Sequence, residues 1–563
     1  MTLTQRNVLI FAGLIAYSLG LLLPAPFNGF VLLSGVMCAM IWGLNRVIQQ
    51  DAAITGVQVQ AQTRRRLSRV ALLLSIILFV WMMWFLHPAR LYIEARLALS
   101  LVLPVALLAY PVFRLYRPVP HQTTSVYTNS HRKIRPELIA AGIILLCLLT
   151  LSNILPFDMR VSPFLSQHVQ ILFFIIGLML LVMGFAGLTR RDLWMVLTWR
   201  LPGMILLITG LAFVVRMWNL EFGVHRLVDE FHFMQAVGDL WNGGEQRMLL
   251  PHGGITAFTW LYPYMQWQTS MITGASLTGL RLASVLIGTM QIPVIYLLGR
   301  ELFNRRVAVV AALMLAILPL HVQFSRIGLN NIVDPLVGML AMFFLVRGMR
   351  RGYPVYFVLA GLCLGLTHYF YEGGKLFYTL FIVLWLIWIR VFKRHDDGFY
   401  LPTRRQLRLM GGVFLLTIMP VYFAWWVNLF PLTPRVNKTS DGSLSTNILA
   451  ILGSKTPLEE LIEVFEPYFL MYLYAIDVSD FFTNERFLSL AGTGFFVIGS
   501  IVAAYRLRFV SYALVFWWMM GVPIGLALTI GTKPEVPRYI VVLPALALLI
   551  AVGLDESLRL LHA

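Results

Sequence analysis

The sequence predicts an all-α polytopic membrane protein, a helix bundle of about sixteen spans with two long outer loops that carry short amphipathic helices. Three observations predict it. Of the 563 residues, 59% are hydrophobic and only 12% are charged. A soluble domain of this size needs roughly a quarter charged residues to cover its surface, whereas lipid solvates the outside of a membrane protein. The mean hydropathy is +0.78. Finally, the apolar runs recur at spanning length, and the basic residues fall in alternate connections between them.

The first six runs lie near 8–24, 28–45, 70–87, 95–114, 138–155 and 168–188. Seven more follow at 202–218, 281–298, 307–321, 332–348, 354–370, 375–392 and 410–428, and three close the chain at 488–504, 510–529 and 538–555. The start of the chain reads as a retained first helix rather than a cleaved leader, because Pro24, Ala25 and Pro26 lead straight into a second apolar run. Basic residues follow the even-numbered helices: Arg64, Arg65 and Arg66, then Arg132, Lys133 and Arg135, then Arg190 and Arg191. The pattern continues with Arg305 and Arg306, Arg350 and Arg351, Arg404 and Arg405, and Arg506 and Arg508. By the positive-inside rule these connections and both termini are cytoplasmic.

The net charge of +18 is carried by those short loops, so it reads as topology and attraction to anionic headgroups, not as a nucleic-acid footprint. Cys38, Cys147 and Cys363 each sit inside an apolar run and form neither a disulfide framework nor a metal motif. There is no Walker loop or dinucleotide fingerprint, and His and acidic residues do not fall at zinc spacing. No cofactor is called for. A divalent metal is compatible with Asp229, though nothing in the spacing indicates one. An energised donor is therefore expected to be lipid-bound.

The two long outer loops span 219–280 and 429–487. Within the first, 228–242 reads as an amphipathic helix with Phe231, Met234 and Leu240 against Asp229, Gln235 and Asp239. The adjacent acids Asp229 and Glu230 are suited to acid/base work, since a carboxylate near the lipid edge is a stronger base than one in water. The competing reading is a solvated acidic pair at a helix start. On the same face lie His321, Arg326, Asn330 and Asp334, then His368, Tyr371, Glu372 and Lys375, then Lys533, Glu535 and Arg538. Ionisable groups at such helix ends tend to be functional, and the cations could hold a phosphate; the alternative for Arg326, Lys375 and Arg538 is snorkelling toward headgroups. Asn437-Lys438-Thr439 matches a glycosylation sequon, a pattern that arises often by chance.

The stretch 201–390 resembles glycosyltransferase family 39, the dolichyl- and polyprenyl-phosphate-sugar transferases that include protein O-mannosyltransferases and lipid A aminoarabinose transferases. The resemblance rests on Arg216 at the end of the first core helix, then Asp229-Glu230, then the run from Gly279 that begins GLRLASVLIGTMQIPVIYLLGRELF. It continues through 330–334, GLTHYFYEGGKLF and, near the end, PRYIVVLPALALLIAVGL from Pro537, so that it covers roughly the last two-thirds of the chain. Oligosaccharyltransferases carry Trp-Trp-Asp after their core, and here Trp425-Trp426 is followed by Val427.

The resemblance implies a GT-C membrane fold and inverting transfer of a sugar from a polyprenyl-phosphate donor to an acceptor protein, lipid or glycan on the outer face. Asp229 would be the base, with Glu230 beside it. Arg216, His232, His321, Arg326, Asp334, His368, Tyr371, Glu372, Lys375, Lys533 and Arg538 make up the expected substrate- and phosphate-binding set, with Arg326, Lys375 and Arg538 foremost. Expected partners are the lipid-linked donor, the acceptor and membrane lipids, with no nucleic acid. The expected place is a prokaryotic plasma membrane with an outward site, or the endoplasmic reticulum in a eukaryote. Three regions are expected: an N-terminal six-helix extension at 1–200, a catalytic core at 201–430, and a closing region at 431–563 with its loop at 431–487. A transporter or flippase is the alternative. Against it, the midplane stretches are nearly free of charge, whereas transporters gather ionisable groups there.

Overall fold

A computed structural model describes residues 134–154, 165–187, 201–223, 228–244, 246–252, 255–393, 397–430, 465–469, 471–472, 490–530 and 536–562, with isolated residues 453 and 488. The first four expected spans, the sequon and Lys533 lie outside the described residues.

The described chain is a helix bundle. Helices α1 (Pro136–Ile154) and α2 (Gln167–Ala186) are the fifth and sixth expected spans, and α3 (Gly203–Met217) is the seventh. Then come α4 (Val228–Trp241), a two-stranded antiparallel ribbon of β1 (Pro251–His252) and β2 (Ile255–Thr259), and α5 (Leu261–Thr273). The rest are α6 (Leu277–Leu302), α7 (Arg305–Ile317), α8 (Pro319–Phe324), α9 (Val333–Arg351), α10 (Pro354–Leu366), α11 (Glu372–Phe392), α12 (Arg404–Val427), α13 (Leu490–Tyr505), α14 (Val510–Ile530) and α15 (Leu543–His562). Seven helices among the described residues are long and apolar enough to cross a membrane, and four shorter ones are similarly apolar. Large apolar side chains such as Leu207, Leu211 and Val214 stand more than half exposed along α3, a stripe that water would penalise and lipid accepts.

Local chemistry sets the helix ends. Ser276 caps α6 by accepting the Gly279 N–H at 3.1 Å, and Asn304 caps α7 through the Val307 N–H at 2.9 Å. Thr403 and Gln406 form a reciprocal capping box at the start of α12. Gly352, with φ of 74°, closes α9. The expected span 307–321 is divided, because α7 stops at Ile317 and Pro319 starts α8: proline has no N–H to continue the ladder. The expected span 538–555 opens as a 3-10 turn, Val536–Val542, before α15.

Close helix contacts use glycine. A Cβ on Gly142 of α1 would lie 2.8 Å from the Gly177 carbonyl of α2, and a Cβ on Gly553 of α15 would lie 1.9 Å from the Phe495 carbonyl of α13. The end of the bundle opposite Asp229 is tied by ion pairs, Arg506 to Glu556 at 2.6 Å and Arg347 to Glu301.

The first long loop is more ordered than the sequence reading has it. It holds α4, the ribbon and α5, the last of which was not expected. In α4 the buried stripe is Phe233, Ala236, Val237 and Leu240, while Phe231 and Met234 are exposed. Spacings of three and four residues make this one helical face; of the expected apolar residues Leu240 lies on it, whereas Phe231 and Met234 do not.

Candidate functional site

A first group of candidate side chains meets where α3, α4, α6 and the turn after α8 come together. Arg216 in the last turn of α3 is fully buried. Its Nη1 donates to the carbonyls of Ala212 and Ala316 at 3.0 and 3.1 Å, and its Nη2 to Leu315 at 3.4 Å and to His321 Nδ1 at 2.8 Å. His321 Nδ1 is therefore the unprotonated nitrogen, and Nε2–H faces Gln291 Oε1 at 3.1 Å. Burial first, and the Arg216 charge second, hold the His321 imidazole well below its ordinary value, so it is neutral. The guanidinium thus fastens α3 to α7 and α8, and its described bonds all point into protein.

Asp229 and Glu230 are adjacent and differ completely in surroundings. Glu230 is 1% exposed. Its Oε1 accepts from Arg281 Nε at 2.8 Å and from the Gly328 N–H at 2.7 Å, and its Oε2 accepts from Arg281 Nη2 at 2.7 Å. Arg281 Nη1 donates to the Leu220 carbonyl at 2.9 Å. One carboxylate therefore joins α4 to α6, to the turn after α8 and, through Arg281, to the end of α3. Asp229 is half-buried and makes no hydrogen bond or ion pair with any described residue. His232 is half-buried one turn along.

Arg326 lies two residues before Gly328. Its Nη2 donates to the carbonyls of Trp218 and Asn219 at 2.6 and 3.2 Å, which closes the turn after α3. A Cβ on Gly223 would lie 2.7 Å from that nitrogen, so glycine there admits the guanidinium. Nε of Arg326 is buried without a hydrogen-bond partner, and Nη1 makes no bond with a described residue. Burial and the nearby Arg281 charge lower its pKa. Among the described residues, two donor positions of this cation stand unused at the joint that holds Glu230.

A second cluster lies at the starts of α9 and α11. Asp334, Glu372 and Lys375 are all buried. Asp334 Oδ2 accepts the Gly374 N–H at 2.9 Å, and a Cβ on Gly374 would lie 2.2 Å from the Asp334 carboxyl. Lys375 Nζ stands 5.0 Å from the Trp425 ring centroid and within electrostatic reach of Glu372 and Asp334. Glu372 and Asp334 sit around that ammonium, a different surrounding from that of Arg326. His368 is engaged with Tyr422 Oη at 2.7 Å and Thr379 Oγ1 at 2.8 Å. Tyr371 is buried beside the α11 start, and Arg538 is half-buried on the 3-10 turn before α15. Among the described residues no group of three or more His, Cys, Asp or Glu side chains is gathered as for a metal ion.

Arg281 was not singled out from sequence, although a lone arginine in an apolar run is itself a signal that something must neutralise it. The buried carboxamides Asn153 and Gln170 carry the same kind of signal.

Residues 259–422 match the model of the dolichyl-phosphate-mannose-protein mannosyltransferase family. The matched segment runs from the end of β2 into α12 and overlaps the stretch whose sequence resembles that family, so the resemblance is carried by an independent comparison. Among solved structures, the chain is similar to the oligosaccharyltransferase of Archaeoglobus fulgidus tethered to an acceptor peptide, at 17% identity and TM-score 0.40, over 62% of this chain and 49% of that one. It is also similar to ArnT from Cupriavidus metallidurans bound to undecaprenyl phosphate, at 18% identity and TM-score 0.42, over 63% of this chain and 60% of that one. The chain thus spans about half the length of the first of these. No curated protein matches it.

Proposed function

We propose that the protein is an inverting glycosyltransferase that moves a sugar from a polyprenyl-phosphate donor to an acceptor at the non-cytoplasmic membrane face, with Asp229 as base. The observation that carries the reading is the division of labour in the Asp229-Glu230 pair. Glu230 is consumed by Arg281 and Gly328, while Asp229, at the start of the same helix, has no described partner. A carboxylate held in place by its neighbour and unpaired among the described residues is suited to accept a proton. The family match over 259–422 supports the donor class.

In the proposed step the acceptor oxygen attacks the anomeric carbon and gives its proton to Asp229. The bond from that carbon to the phosphate oxygen breaks, and the lipid phosphate leaves with the electron pair. An anionic leaving group needs charge stabilisation rather than a proton. Arg326 has the unused donors for it at the same joint, with Arg538 as a second cation. Lys375 already faces two acids, so its part is to balance Asp334 and Glu372. The positive-inside pattern of the loops supports the outward orientation.

The test is sugar transfer by the purified protein from radiolabelled polyprenyl-phosphate mannose, glucose and arabinose, with Asp229→Asn alongside. Turnover that disappears in the variant supports the class and the base together. Full turnover in the variant removes Asp229 as base, and no turnover with any donor by folded protein moves the weight to transport.

A further inference from the structure

The segment 246–250 joins α4 to the ribbon, and its backbone is gripped by side chains from helices distant in sequence. Gln167 Oε1 accepts the Gln246 N–H at 3.3 Å. Gln170 Nε2 donates to the Gln246 carbonyl at 3.0 Å, and Gln170 Oε1 accepts the Met248 N–H at 3.0 Å. Asn153 Oδ1 accepts the Leu249 N–H at 2.9 Å, and Asn153 Nδ2 donates to Gln170 Oε1 at 3.1 Å. From α12, Trp425 Nε1 donates to the Leu249 carbonyl at 2.7 Å, and the Trp260 N–H donates to the Met248 carbonyl at 3.2 Å. Both backbone groups of Gln246, Met248 and Leu249 are thereby satisfied.

Asn153 and Gln170 are both 0% exposed. Burying two carboxamides costs free energy unless their bonds are made. Their one bond to each other joins α1 to α2, a pair that also packs closely at Gly142 and Gly177. Their bonds go to each other, to their own helix or its approach, and to 246–250. Their placement is explained by the strap they hold.

The strap follows α4 after a short turn that contains Gly243 and Gly244, where the Gly244 N–H bonds back to the Asp239 carbonyl at 3.1 Å, and the first turn of α4 is anchored by Glu230 on Arg281. Helix α4 is therefore held near both ends, and Asp229 stands one residue before the first anchor. We infer that Asn153 and Gln170 are positioning residues for the Asp229 helix, so that α1 and α2 of the N-terminal extension are working parts of the site. The effect on transfer rests on the function proposed above; the mechanical relationship does not.

Hydrogen exchange followed by mass spectrometry, on the full-length protein in detergent, decides the relationship. In Asn153→Leu and Gln170→Met, exchange should speed up about tenfold or more over 246–250 and over α4, with α6 and α9 as in the wild type. Faster exchange in the strap with α4 unchanged overturns the inference. If either variant loosens α6 and α9 as well, Trp425→Phe removes one strap bond from another helix while keeping a ring, and its α4 exchange decides in the same way. With whichever polyprenyl-phosphate sugar the wild type turns over, the two variants should lower kcat about fivefold or more and leave donor KM within about twofold. A wild type that turns over no donor refutes the proposed function, while the exchange result still stands for or against the clamp.

Discussion

Glu230 and Arg281 meet in a two-point ion pair whose nitrogen-to-oxygen distances are 2.8 and 2.7 Å, both side chains withdrawn from the surface. The two neighbouring acids thereby differ: Glu230 holds the helix in place, while Asp229 is half-buried and bonds to no described residue. A paired buried charge is costly to leave alone. Glu230→Gln strands the Arg281 guanidinium and should cost about 3–5 kcal/mol of stability, seen as a large drop in melting temperature and a reduced yield of folded protein. Arg281→Lys should not restore the loss, since an ammonium cannot make the same fork.

Asp229→Asn should be nearly silent in stability, within about 0.5 kcal/mol, because no described residue bonds to the carboxylate. Transfer should fall by a factor of about 100 or more, the usual contribution of a general base. Melting curves and transfer assays on the same preparation separate the two effects. An equal loss in both would make Asp229 a structural residue like its neighbour.

On the proposed function, Arg326→Ala should weaken binding of a polyprenyl phosphate about tenfold, the equivalent of one charge-assisted hydrogen bond. Lys375→Met should act on stability more than on phosphate affinity, because the ammonium is surrounded by Asp334, Glu372 and the Trp425 ring. A titration of each variant with undecaprenyl phosphate, read by intrinsic fluorescence, checks the contrast. Stronger loss in Lys375→Met than in Arg326→Ala would move the anion to the second cluster.

Gly553→Ala should destabilise the bundle by about 1–3 kcal/mol, since the added methyl has the Phe495 carbonyl 1.9 Å away. Gly210→Ala has nothing within 4 Å of the new carbon and should be neutral or slightly stabilising, through better helix propensity. Thermal unfolding of the two alanine variants side by side tests the packing.

The spans were legible because lipid imposes a length and an apolar content on every crossing. Residues 202–218, 375–392 and 510–529 all correspond to helices with ends within a few positions. The acidic pair was legible too, because two carboxylates beside an apolar run stand out. What joins them to the fold was not. Arg281 lies 51 positions from Glu230, and no local pattern reports a partner at that separation. Helix α5 was missed because its buried Gln266, Thr269 and Ser270 break the apolar signal, while three-dimensionally they bond to carbonyls around them. The strap at 246–250 is recognised through its backbone, which leaves little trace in side-chain pattern.

Arg216 also has a consequence for how the protein is made. Its guanidinium depends on the carbonyls of Leu315 and Ala316, and Ala316 is 100 residues further along. At about 5–20 residues per second, α3 leaves the ribosome on the order of ten seconds before α7 arrives. Until then, of the partners that the finished protein provides, the positive charge near the end of this apolar helix has only the Ala212 carbonyl of its own helix. Nascent α3 must be sheltered by the insertion machinery, or sit with its charged end at the membrane surface, and settle only as α7 enters beside it. The order of assembly is thus written into one side chain: the segment synthesised earlier waits for the later one.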